Sequence, residues 1–156
     1  MATWTIYDQF RLRQENGNAI DLDNPGGNGL KIMLTDNVYV PSQQNDVFVN
    51  PAIDDGVTDD EVSGSNYTAG GNAVGTPSLT GPTAGGLITF DGADPATWLQ
   101  HATGFTNARY AVLYQDTGIK TTAPLIAYAN FGADKGNVSG DFAVQLDAAG
   151  IFTKPR

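Results

Sequence analysis

Few side chains in this sequence could carry out covalent chemistry. The single histidine is His101, and the chain has no cysteine. A general base or nucleophile needs a neighbouring group that activates or orients it, and no serine motif accompanies His101. The densest serine and glycine cluster, Ser63-Gly64-Ser65, is typical of a turn. We therefore predict that the chain has no catalytic residues and is not an enzyme, and that His101 is a loop or interface residue.

Carboxylates occur in three short clusters that could bind a hard cation. The clusters are Asp21-Leu22-Asp23, Asp54-Asp55 and Asp59-Asp60-Glu61. Calcium prefers several oxygen ligands, but none of the clusters has the twelve-residue spacing of a helix–loop–helix calcium site. We predict solvated acidic loops and no metal, with calcium at Asp54-Asp55 as the alternative.

The glycine-rich stretches at residues 24–29 and 68–71 are not phosphate-binding loops. Neither contains the lysine of a P-loop, and neither clearly leads from a buried strand into a helix. Both are therefore predicted to be turns, and no cofactor is predicted.

The charge of the chain argues against nucleic acid and membranes as partners. Seventeen acidic and eight basic residues give a net charge of −9. Affinity for duplex DNA and for anionic lipid surfaces comes largely from clustered basic side chains. The N-terminus lacks a secretory signal pattern, and the apolar runs are far shorter than the ~20 residues that cross a bilayer. We expect a soluble protein that is initially intracellular.

Arg109 begins the most apolar stretch of the chain, where an unpaired guanidinium would be costly. The sequence offers Asp91 and Asp94 as nearby acids. We predict a structural salt bridge from Arg109 to one of these two residues, in preference to a ligand-binding role.

The elements that must position these groups are mostly short strands. Scattered glycine and proline separate short apolar runs, which is typical of an all-β domain. Alternation predicts three successive C-terminal strands, at Arg109 to Tyr114, Pro124 to Phe131 and Asp141 to Asp147. The last of these has Phe142, Val144 and Leu146 facing inward. Strands are also predicted at residues 30–34, 38–40, 61–63, 78–80 and 87–90, and a short helix at residues 7–14.

Together these elements predict a mainly β fold, an antiparallel β-sandwich with long Gly/Asn-rich loops. Residues 1–156 are predicted to form a single domain. Within it, residues 1–17 carry four apolar side chains, Trp4, Ile6, Tyr7 and Phe10. Aromatic anchors of this kind are common at interfaces. We predict that this segment mediates assembly, with closure of the domain's own core as the equal alternative.

Nine segments, in order along the chain, have a recognisable sequence and spacing. They are Ile6-Tyr7-Asp8-Gln9-Phe10, Asn16-Gly17, Ile20-Asp21-Leu22-Asp23, Leu30-Lys31-Ile32-Met33-Leu34, Tyr39-Val40-Pro41, Glu61-Val62-Ser63-Gly64-Ser65-Asn66-Tyr67-Thr68-Ala69-Gly70-Gly71, Ala108-Arg109-Tyr110-Ala111-Val112-Leu113-Tyr114, Pro124-Leu125-Ile126-Ala127-Tyr128 and Gly150-Ile151-Phe152. Taken together, these segments resemble a set of small tailed-bacteriophage proteins that are encoded near the capsid genes. The resemblance covers nearly the whole chain, except that the loop at residues 24–29 is longer than usual.

This resemblance implies a structural protein of the virion. We expect a decoration, or cement, protein that is made in the host cytoplasm and lies on the outer capsid surface. It would bind the major capsid protein and itself. Threefold positions of a shell favour a homotrimer. A tail or head–tail connector protein is the first alternative. A carbohydrate-binding module is the second, with Trp98, Tyr110 and Tyr128 as possible sugar-stacking rings.

Overall fold

A computed structural model describes residues 3–50, 60–82, 86–147 and 149–155. Within these ranges the chain forms eight β-strands, one α-helix and one 3-10 turn. The elements are β1 (Trp4–Ile6), α1 (Asp8–Glu15), β2 (Leu30–Thr35), β3 (Asn72–Ala73), β4 (Gly75–Thr80), β5 (Leu87–Ala93), β6 (Ala108–Gln115), the 3-10 turn (Lys120–Thr122), β7 (Leu125–Lys135) and β8 (Phe152–Pro155).

The strands form two antiparallel sheets, which confirms the predicted fold class. The larger sheet has the order β1-β7-β6-β2-β3, and the smaller sheet has the order β4-β5-β8. Buried Val74 lies between β3 and β4, so the chain passes from one sheet to the other at this residue. The outer strands at the opposite side are β1 and β8. The two sheets share one apolar core, to which both Leu113 of β6 and Phe90 of β5 belong.

Strand β6 forms the centre of the larger sheet between β2 and β7. Residues 111–114 are all buried, although successive side chains point to opposite faces. Both faces of this strand are therefore covered, as its apolar sequence predicts.

Several predicted elements are confirmed close to their expected positions. The helix is displaced by one residue from the predicted range, and its Phe10 is buried. The strands predicted at residues 30–34, 78–80, 87–90, 109–114 and 124–131 all correspond to strands of the structure.

Three predictions about strands were wrong. Residues 38–40 are irregular, with Tyr39 buried between exposed Val38 and Val40. Residues 141–147 have the predicted alternation of burial, with Val144 and Leu146 inside, but they form only an isolated bridge from Phe142 to Trp98. At residues 61–63 there is likewise one isolated bridge, between Glu61 and Thr35. Strand β8 was not predicted.

Candidate functional site

The two sheets are separated by an open groove along one side of the fold. Strand β1 ends the larger sheet and β8 ends the smaller one. Consecutive residues 3–6 and 150–153 line a common groove of about 490 Å³. Arg11, Gln43 and Asp147 complete its walls. We call this the seam groove, because residues of the outer strands of both sheets line it.

The pairing of β1 determines which of its backbone groups face the seam groove. The Tyr7 N–H donates to the Ile126 carbonyl at 3.1 Å. Backbone groups alternate in direction along an antiparallel strand, so Thr5 and Tyr7 turn theirs towards β7. Trp4 and Ile6 therefore turn their N–H and carbonyl groups away from β7, towards the groove.

Gln43 confirms this direction. Its Nε2 donates to the Ile6 carbonyl at 3.1 Å and lies 3.4 Å from Asp8 Oδ1. One outward group of β1 is thus capped by a side chain of the fold. The Trp4 N–H, the Trp4 carbonyl and the Ile6 N–H remain directed into the groove.

The side chains around the seam groove are mostly small or apolar. Ile6, Ile151 and Phe152 are buried, and Phe152 packs against Phe90 with ring centroids 5.3 Å apart. The exposed side chains are Thr3, Arg11, Asp147 and Thr153. The groove therefore has a mostly polar lining with one charge of each sign, and it lies beside three buried apolar side chains and the edges of two strands. This arrangement can bind a polypeptide backbone.

The prediction that the N-terminal side chains are interface anchors is corrected by their burial. Ile6, Tyr7 and Phe10 are between 0% and 5% exposed. The Tyr7 ring packs on Tyr128 with centroids 5.1 Å apart, and Phe10 contacts Phe152 edge to face. These three side chains close the domain's own core because β1 and α1 cover the sheet edge. Trp4 is half-buried against the same core.

The predicted partner of Arg109 was also wrong. Its Nη2 and Nε lie 2.7 and 2.8 Å from Asp134 Oδ1. Strands β6 and β7 are paired neighbours, which brings the two residues to the same end of the sheet. Asp91 accepts the Gly92 N–H, and Asp94 accepts the Leu146 N–H at 2.7 Å. Asp91 therefore binds the backbone of the next residue, and Asp94 joins two segments that are 52 residues apart in the sequence.

His101 lies in an exposed loop. Its Nδ1 is 3.2 Å from the Thr103 backbone nitrogen and 3.0 Å from Thr103 Oγ1. This places His101 in a local turn.

The first acidic cluster contains a close carboxyl pair. A side-chain hydrogen bond with Asp21 raises the pKa of exposed Asp23. Among the described residues, no three His, Asp or Glu side chains converge closely enough to hold a metal ion. Asp54, Asp55 and Asp59 lie outside the described residues. The hypothesis of calcium at Asp54-Asp55 therefore concerns a part of the chain that the structure does not describe.

The three rings considered for sugar binding do not form an exposed platform. Trp98 is 1% exposed and stacks on Tyr67 with an interplanar angle of 18°. Tyr110 and Tyr128 are half-buried and contact each other edge to face. Trp98 is therefore unavailable for stacking on a sugar.

Sequence patterns gave no sign of two polar clusters, one buried and one partly buried. In the first, Tyr7 Oη is 2.7 Å from Tyr39 Oη, which donates to Asp46 Oδ2 at 2.8 Å. Burial and the neighbouring Asp46 raise the pKa of both phenols far above the usual value of 10. The residues are up to 39 positions apart, so no local spacing links them.

The second cluster surrounds Glu61. Its Oε1 accepts the Tyr67 hydroxyl at 2.7 Å and the Gly70 N–H at 2.5 Å, and Lys120 Nζ lies 3.9 Å from Oε2. Burial, together with Glu61, raises the pKa of Tyr67. The Tyr67 hydroxyl in turn accepts the Leu34 N–H at 3.1 Å, so this cluster connects the loop to β2.

Within the described residues, no helix is long and apolar enough to cross a bilayer. Comparisons of the chain with protein-family models, curated proteins and solved structures gave no match. The groove geometry therefore carries the functional argument.

Proposed function

We propose that this chain is a non-enzymatic structural protein of a virus particle, a decoration protein that binds the outer surface of the capsid. The seam groove is the observation that carries the proposal. It presents the edges of two strands, β1 and β8, beside a polar rim. Sheet edges are established binding sites for extended polypeptide. A protein that works by binding a shell needs such a surface more than it needs reactive side chains.

The charge of the chain supports an external position. A net charge of −9 opposes contact with packaged nucleic acid, whose phosphates attract basic side chains. The outer face of a shell does not contact the packaged nucleic acid, so a protein bound there needs no basic surface. Symmetric shells also impose local symmetry on the proteins that bind them, and a homotrimer on a threefold position satisfies it.

Copy number in purified particles tests this proposal. Particles of the encoding virus are purified on two successive gradients with a high-salt wash, and this chain is quantified by mass spectrometry against the major capsid protein. A decoration protein is expected at a fixed ratio close to that of the capsid protein. A few copies per particle would support the tail or connector alternative and contradict decoration, and absence from washed particles would overturn a virion role.

A further inference from the structure

The sequence contains two Asn-Gly pairs, Asn16-Gly17 and Asn28-Gly29. In such a pair the glycine nitrogen can attack the asparagine side chain, because glycine has no Cβ to restrict the backbone. We propose that Asn16 is a site of spontaneous modification, where the side-chain amide is converted to an acid, and that the fold protects Asn28 from the same reaction. This chemistry goes beyond the proposed function and does not depend on it.

The reaction needs only water as a co-reactant. The Gly17 nitrogen forms a bond to Asn16 Cγ and gives up its proton to hydroxide. The side-chain nitrogen takes up a proton and leaves as ammonia, so a five-membered imide remains. Water then adds to one of the two imide carbonyls, and cleavage of that carbon–nitrogen bond gives either aspartate or isoaspartate. Nothing is oxidised or reduced.

The backbone around Asn16 is free to reach the geometry of attack. Residues 16–19 are exposed and follow helix α1 without regular structure. The Asn16 N–H donates to the Leu12 carbonyl at 3.1 Å, but within the described ranges no backbone hydrogen bond holds Gly17. A Cβ placed on Gly17 would meet nothing within 4 Å. The peptide group between the two residues can therefore reorient towards the side chain at low cost.

A neighbouring side chain favours the attack. Asn18 Nδ2 donates to Asn16 Oδ1 at 3.2 Å. This oxygen gains negative charge as the Gly17 nitrogen adds to Cγ, so a donor directed at it stabilises the transition state. Gln14 holds the far end of the loop through both backbone groups of Ile20, at 2.6 and 3.2 Å. The loop is thus fixed at its ends and free at the reacting pair.

The second Asn-Gly pair is held by hydrogen bonds at every group that would have to move. The Asn28 N–H donates to the Asp116 carbonyl at 2.9 Å, and Asn28 Nδ2 lies 3.3 Å from Asp116 Oδ2. The attacking group, the Gly29 N–H, donates to Gly26, and the Gly29 carbonyl accepts the Asp116 N–H. Lys31 fixes Asp116 through an ion pair at 2.7 Å. Attack at Asn28 therefore requires local opening of this turn.

Peptide mapping by mass spectrometry of the whole protein compares the two sites in one molecule. The protein is kept at pH 8 in water enriched in oxygen-18, so that only acids formed during the incubation carry the label. We expect labelled aspartate and isoaspartate at Asn16 to form at least about tenfold faster than at Asn28. In urea the two rates should agree within about threefold, because both pairs lose their hydrogen bonds.

Two substitutions give a matched pair of controls. Conversion of Asn16 adds one negative charge, so the product separates from the parent protein on anion exchange. Asn16→Gln should abolish the first acidic product, because a glutamine side chain would have to close a larger, six-membered ring. Asn28→Gln should leave the formation of that product unchanged.

Three results would overturn the proposal. The first is equal rates at Asn16 and Asn28 in the folded protein. The second is a rate at Asn16 that is at least about tenfold slower in the folded protein than in urea, since the fold would then protect this site also. The third is an acidic product that forms undiminished in Asn16→Gln.

Discussion

Asn137 and Phe105 are joined by a reciprocal pair of hydrogen bonds. The Asn137 backbone N–H donates to the Phe105 carbonyl at 3.1 Å, and Asn137 Oδ1 accepts the Phe105 N–H at 2.9 Å. Asn137 Nδ2 also donates to the carbonyls of Leu99 and Ser65, at 2.9 and 3.2 Å. The fully buried side-chain amide of Asn137 thus connects three loop segments that are not held together by strand pairing.

We predict that Asn137→Ala lowers the free energy of unfolding by about 2–4 kcal/mol, since it removes three side-chain hydrogen bonds and leaves the buried Phe105 N–H without its partner. Urea denaturation measures the change. Asn130→Ala is the matched control, because Asn130 is exposed and makes one side-chain bond, to the Gly132 N–H. It should cost less than about 1 kcal/mol. Equal losses for the two variants would contradict this account of Asn137.

Gly104 provides a second test of the same junction. A Cβ at this position would lie 1.9 Å from Asn137 Oδ1. We predict that Gly104→Ala is destabilising by roughly 2 kcal/mol or more, because the side chain of Asn137 must move away from its partners. Gly140→Ala is the control, since a Cβ there meets nothing within 4 Å, and it should be neutral or slightly stabilising.

A double-mutant cycle separates this clash from a general effect on the loop. Asn137→Ala removes the atom that the new Cβ would meet. The double variant Gly104→Ala/Asn137→Ala should therefore be more stable than the sum of the single effects by about 1 kcal/mol or more. Strict additivity would show that the two residues do not interact.

The partly buried ion pair of Asp116 and Lys31 predicts a dependence of stability on acid pH. Burial opposes ionisation, but the Lys31 ammonium at 2.7 Å and the Gly118 N–H at 2.8 Å outweigh it and lower the pKa of Asp116. A lowered folded-state pKa contributes stability above the unfolded pKa of ~3.9. That contribution is lost as pH falls through the folded pKa.

We therefore expect Asp116→Asn to lower the free energy of unfolding by about 1–2 kcal/mol at pH 7. As the pH falls below 4, the stability of the variant should decrease less than that of the unmodified protein, so the difference between the two should shrink. Urea midpoints between pH 2.5 and 7 measure both effects. Asp134→Asn is the comparison, because Asp134 makes an equally short ion pair at a more exposed site, where such pairs contribute less. A constant difference between Asp116→Asn and the unmodified protein at every pH would exclude the proposed linkage.

Buried phenols predict a loss of stability at alkaline pH. Burial raises the pKa of Tyr7, Tyr39, Tyr67 and Tyr114 above 10. The unfolded chain therefore releases protons that the folded chain keeps, and stability should fall above pH ~10 by up to about 1.4 kcal/mol per pH unit for each phenol. Ring resonances of these four residues should keep their protonated shifts until the protein unfolds. Ionisation of the four rings near pH 10 in the folded protein would contradict the prediction.

Tyr39 occupies the central position in the first buried polar cluster. Tyr39→Phe should cost about 1–3 kcal/mol at pH 7, because Asp46 loses a donor and Tyr7 loses its partner. Tyr7→Phe should cost less, since the bond between Tyr39 and Asp46 remains. Chemical denaturation of the two variants compares them directly, and the reverse order would be evidence against this arrangement of bonds.

The sequence alone determined the class of the fold and the buried side chains of several segments. Alternation of apolar and polar residues is local, and it correctly identified the two-faced strand β6 and the inward Val144 and Leu146. It could not show that residues 141–147 lack a strand partner on most of their length. Whether an extended segment joins a sheet depends on an available edge, which is a property of the assembled chain.

The tertiary structure decided every relationship between residues far apart in the sequence. Arg109 pairs with Asp134 because β6 and β7 are paired neighbours, whereas the sequence alone suggested Asp91 or Asp94. Ile6, Tyr7 and Phe10 became core residues because β1 and α1 close over the sheet. The seam groove exists only because the strand order leaves β1 and β8 as two outer edges, and strand order is set by the packing of the whole domain.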